Sequence, residues 1–93
     1  MPSNDYPAAA NRSWRVNAMA GTRSVDFQSR FNVLEDVSGA PTSVKFSAPC
    51  PFATTVQCYA GTKGTGMMTA VNVPANGVGA FNVSFKSWRV IRR

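Results

Sequence analysis

Apolar and polar positions alternate with a period of two along most of this chain, and that period predicts strands. From Ser24 onward, Val25, Phe27, Phe31 and Val33 share one parity, while Asp26, Gln28, Arg30 and Asn32 share the other. This is the pattern of a strand with one buried face. Thr42 to Ala48 alternates through Val44 and Phe46, and Ala53 to Ala60 carries the β-branched and aromatic residues Thr54, Thr55, Val56 and Tyr59. Met67 to Val73 ends in Val71-Asn72-Val73, and Phe81, Val83 and Phe85 follow at strict alternation. The apolar parity then moves to Trp88 and Val90, which predicts a bulge or a corner near Lys86-Ser87. The expected core is therefore Val25, Phe27, Phe31, Val33, Val44, Phe46, Val71, Val73, Phe81, Val83 and Phe85.

Turn chemistry separates these runs. Ala20-Gly21-Thr22 suits a hairpin, with Gly21 supplying positive φ. Glu35 to Pro41 reads as a polar connection, and Pro49-Cys50-Pro51 must leave any ladder because two prolines remove two donors. Gly61 to Gly66 reads as a mobile surface loop with Lys63 at its tip, and Pro74-Ala75-Asn76-Gly77 is a turn. The predicted fold class is all-β, a small antiparallel β-sandwich or barrel of six to seven short strands. Residues 1–12, poor in apolar bulk and carrying Pro2 and Pro7, form an extended N-terminal arm; residues 13–93 form a single β domain. Residues 7–20 admit two readings. Asp5 as a cap, Pro7 in a first turn and Gly21 as a stop would make a helix, whereas Trp14, Val16, Ala18 and Ala20 alternate as a strand from residue 13 to residue 20.

Charge adds a partner to the picture. Ten Lys and Arg stand against four Asp and Glu in 93 residues, a net charge of +6, and seven of the ten cations are Arg. A planar, always-charged guanidinium suits carboxylates and phosphates at partly dry interfaces. The tetrapeptide Ser-Trp-Arg-Val occurs twice, at residues 13–16 and 87–90. Each Trp is expected to be an inward anchor, with its Arg on the opposite face and the two strands as neighbours or edges. Arg12, Arg15, Arg89, Arg92 and Arg93 then become candidates for one basic surface, with Lys63 as a further contact.

The residue inventory points away from catalysis. With no His there is no Ser-His-Asp or Cys-His arrangement, and four scattered acids do not form an acid–base pair. No catalytic, cofactor-binding or metal-binding residue is therefore expected, and no small-molecule substrate. Gly61 to Gly66 lacks phosphate-loop spacing and leads into a strand. Cys50 and Cys58 cannot make a zinc site alone; they are expected to be reduced core residues, a short-loop disulfide being the alternative in an oxidising compartment. No basic stretch followed by an apolar one opens the chain and no run of apolar residues spans a membrane, so the expected product is cytoplasmic, without signal peptide or membrane partner.

The stretch Met67 to Phe85, with its Val-Pro-Ala-Asn-Gly turn and Phe-Asn-Val-Ser-Phe strand, resembles the closing hairpin of immunoglobulin-like sandwiches. The chain as a whole is similar to the small β-rich accessory structural proteins of tailed phages: short, with a polar arm and no catalytic set. That resemblance implies a virion component, in head decoration, cementing or the tail, which docks on a larger structural assembly and on copies of itself. The alternative is a basic β module that binds nucleic acid.

Overall fold

A computed structural model describes residues 14–48, 50–77 and 80–93. Eight strands form two antiparallel four-stranded sheets. They are β1 (Arg15–Ala20), β2 (Arg23–Gln28), β3 (Glu35–Asp36), β4 (Ser43–Ala48), β5 (Thr54–Tyr59), β6 (Met68–Val73), β7 (Ala80–Asn82) and β8 (Ser87–Arg92). One sheet has the order β2-β1-β4-β7 and the other β3-β8-β5-β6. The chain is a β-sandwich with eight strands where the pattern predicts six to seven; the strand it missed is β3, only two residues long and in a segment read as a connection. The predicted arm and Arg12 lie outside the described residues. Residues 15–20 are strand, as the alternation requires.

The core fills from both sheets. Trp14, Val16 and Ala18 meet Val44 and Phe46 on one inner face, and Trp88, Val90, Val56, Cys58 and Val73 line the other. Trp14 and Trp88 are 1% and 0% exposed, so both indoles are inward anchors. Their strands are neither neighbours nor edges, however: β1 and β8 each take the second position of a different sheet.

Two pairings depart from the sequence pattern. In β2 the parity inverts: Gln28 is 4% exposed and Phe27 is 47% exposed. A register shift between Ala18 and Met19 opposes Asp26 to Ala18 and Ser24 to Met19, leaving Val25 as the extra residue. Gln28, opposite Val16, therefore turns inward, and Phe27, opposite Asn17, turns out. Val25, Phe31, Val71, Phe81 and Val83 pack against the core from its periphery, and Val33 is half-buried. The residues from Met67 to Phe85 do not form a hairpin either. β6 pairs with β5, and β7 pairs with β4 in the other sheet. Gly77 donates its N–H to the Pro74 carbonyl at 2.9 Å, and Asn76 donates to the Cys50 carbonyl at 2.7 Å. The turn is thus tied to the β4–β5 connection and carries the chain across the sandwich. Likewise, the parity change before Trp88 is a corner, where the chain leaves β7 and enters the opposite sheet.

The glycine-rich loop is pinned rather than mobile. Lys63 donates its backbone N–H to Asp36 Oδ1 at 2.7 Å, Gly64 donates to Ser87 Oγ at 2.9 Å, and Ser87 Oγ–H donates to the Gly61 carbonyl at 2.6 Å. Glu35 and Asp36, expected in an open connection, form β3 against Trp88 and Ser87.

Phe46→Ala, which empties a fully packed site, is expected to cost ~3–5 kcal/mol. Phe27→Ala removes only a half-exposed ring and an Arg contact, about 1 kcal/mol. Urea unfolding of the two variants checks the inverted parity of β2; equal losses would contradict it.

Candidate interaction surfaces

The repeated Ser-Trp-Arg-Val places its two arginines on opposite outer faces, because each Trp points into the core from its own sheet. Arg15 lies with its guanidinium carbon 4.0 Å from the centre of the Phe27 ring. Across the molecule, Arg89 donates Nε–H to Gln57 Oε1 at 3.2 Å and Nη2–H to the Tyr59 hydroxyl at 3.4 Å. The single basic surface expected from Arg15 and Arg89 is therefore not assembled.

A different grouping is formed at one end of the sandwich. Arg92 stacks 3.9 Å from the centre of the Phe52 ring, Phe52 meets Phe31 at 6.2 Å, and Phe31 meets Trp14 at 4.8 Å. This line of rings runs from Arg92 at the end of β8 to Trp14, the residue that precedes β1. Arg93 closes the same end, donating Nε–H to the Thr54 carbonyl and Nη2–H to the Val73 carbonyl, both at 3.1 Å. Arg30, which the sequence reading left out of the basic surface, lines a cleft with Phe27 and Glu35. Lys63 is exposed at the opposite end of the second sheet.

The two open sides of the sandwich differ in chemistry. Where β6 and β7 face each other, a cleft of about 310 Å³ is lined by Val71, Val73, Pro74 and Phe81 among others, with no charged residue. β6 is a six-residue edge strand; its first residue Met68 is 45% exposed and Met67 just before it is 80% exposed. A signal for this was present: from Gly64 to Phe85 the sequence holds 22 residues without a charge, in a chain with 14 charged residues. On the other side, where β2 faces β3, a cleft of about 260 Å³ is lined by Asp26, Phe27, Gln28, Ser29, Arg30, Val33 and Glu35. Burial, and then the charge of Asp26, push the Glu35 carboxyl above its ordinary range, against a smaller downward pull from Arg30.

Among the described residues no three His, Cys, Asp or Glu side chains gather as metal ligands, and no helix is long and apolar enough to cross a membrane. Cys50 and Cys58 are buried free thiols. No protein-family model, curated protein or solved structure matches the chain.

Burial pushes the Cys58 thiol up to about 12. An unfolded thiol ionises near about pH 8.5, so above that pH the unfolded chain releases a proton that the folded chain keeps. The stability that Cys58 contributes is thus complete below the unfolded value. It falls as pH rises toward 12, by up to about 1.4 kcal/mol per pH unit. Cys58→Ala is expected to be less stable at neutral pH and to lose less between pH 9 and 11 in denaturant titrations. Parallel alkaline profiles for the two proteins would contradict this.

Proposed function

We propose that this protein is a non-enzymatic structural subunit, a small virion component that docks on a larger shell or tube. The observation that carries this reading is the β6 edge. A full-length edge strand presents a row of unpaired N–H and C=O groups, and free-standing domains blunt such edges with charge, proline or a bulge. β6 has none of these devices, while β2, the opposite edge of the other sheet, carries Arg23 and Asp26 and a register shift. An uncharged strand that opens on two exposed methionines suits strand addition by a partner, with main-chain hydrogen bonds for affinity and the Val71–Phe81 cleft for side chains. Residues 1–12, polar and short of apolar bulk, would extend the contact to a neighbouring subunit.

The arginines at the end of the sandwich favour a second reading, a nucleic-acid-binding β module. Arg15 on Phe27 and Arg92 on Phe52 combine cations with partly exposed rings, the elements of a stacking platform. In that reading affinity falls steeply with salt, in proportion to the phosphates neutralised.

Thr69→Lys combined with Ala70→Lys puts two charges on exposed positions of β6, where the cost to folding is expected to stay within about 1 kcal/mol. In density gradients of the producing cell's lysate, the parent chain is expected to travel with a high-mass particle and the double variant to stay at the top. Equal incorporation of both, or a parent chain that never leaves the top, would contradict docking through β6. Loss of incorporation on substituting Arg92 and Arg93 alone, with a steep salt dependence, would favour the nucleic-acid reading.

A further inference from the structure

The cleft between β2 and β3 places oxygen atoms together in a way that the docking reading does not use. The inverted parity of β2 turns Asp26 and Gln28, two residues apart, toward the same inner face. Glu35 comes to them from the opposite sheet. It is in register with Trp88 on β8, and Gln28 donates Nε2–H to the carbonyl of that same Trp88 at 3.5 Å. With Nε2–H directed at that carbonyl, the amide oxygen takes the other position. Gln28 Oε1 is then left buried without a hydrogen-bond partner, on a side chain only 4% exposed that lines the cleft. An uncompensated buried carbonyl is costly, and so is holding two carboxylates close enough to repel.

We propose that this cleft binds a divalent hard cation, calcium foremost, through the carboxylates of Asp26 and Glu35 and the amide oxygen of Gln28. Oxygen donors of mixed type from a strand, its neighbouring loop and the facing sheet suit the loose, high-coordination geometry of calcium better than the strict octahedron of magnesium. Ser29 lines the same cleft and adds a hydroxyl or carbonyl oxygen, and water completes the shell. Asp26 Oδ1 already accepts the Phe27 N–H at 2.8 Å, which orients the carboxylate and leaves Oδ2 for the ion. Arg30 lines the cleft too and is exposed to solvent. An ion there would join the edge strand of one sheet to the edge strand of the other and close this side of the sandwich.

With so few protein carboxylates, affinity falls in the weak range of calcium modules, about 10⁻⁴–10⁻³ M. Ten millimolar calcium chloride, against potassium chloride of equal ionic strength, is then expected to raise the melting temperature by about 5–10 °C. Glu35→Gln and Asp26→Asn keep shape and remove charge. Each is expected to melt no lower than the parent without calcium, since the repulsion is relieved, and to lose most of the calcium response. Isothermal titration with calcium chloride provides the second readout, one binding event per chain in the parent and none in the Asp26→Asn, Glu35→Gln double variant. A parent that shows neither shift nor heat, or variants that respond as strongly as the parent, would overturn the proposal.

Discussion

Two four-stranded sheets make a stable sandwich only if their inner faces fill the space between them, and a chain of 93 residues has few side chains large enough to do so. Here each sheet sends one indole inward from its second strand. Trp14 packs against Phe31 and Phe46, and Trp88 packs 5.4 Å from Phe85. Val16 and Val90 follow at the next inward position and are fully buried. Neither indole N–H has a hydrogen-bond partner, a cost of about 1–3 kcal/mol each that the buried ring area must exceed. The two strands that carry the indoles thus hold the core, and the edges carry the chemistry that the remaining strands bring.

Those edges divide the surface into parts that do different things. The cleft on the β2–β3 side bears carboxylates and an amide together with Arg30, whereas no charged residue lines the cleft between β6 and β7. Cations gather at the end where β8 finishes, each held against a ring or a carbonyl: Arg92 on Phe52, Arg93 on Thr54 and Val73. The proposed docking through β6 and the proposed ion site between β2 and β3 would use opposite sides of the molecule.

The all-β class, the β1–β2 turn at Gly21 (φ 66°) and the buried Val44, Phe46, Trp14 and Trp88 were legible in the sequence, because local alternation and turn chemistry decide them. What escaped depends on pairings between distant segments. The parity of Phe27 is reversed by a bulge whose other half lies in β1, and no pattern within β2 alone announces it. The Asn-Gly turn at residues 76–77 looks like a hairpin locally; the strands it joins belong to different sheets because their partners are β4 and β5. Identical tetrapeptides gave no hint that Arg15 and Arg89 face apart, since that follows from one motif in each sheet. The uncharged run from Gly64 to Phe85 was in plain view, and its meaning comes only from finding β6 at an edge.

The central claim is that the core strands are locked while β6 stands open for a partner. Residue-resolved amide hydrogen exchange tests it on the dilute purified chain and again on the particle-bound chain. In the dilute chain the account predicts slow exchange throughout β1, β5 and β8 and, in β6, alternation between slow amides paired to β5 and fast amides pointing outward. Those fast amides should become protected on the particle. Uniform protection of β6 in the dilute chain, or outward amides that stay fast on the particle, would contradict the claim.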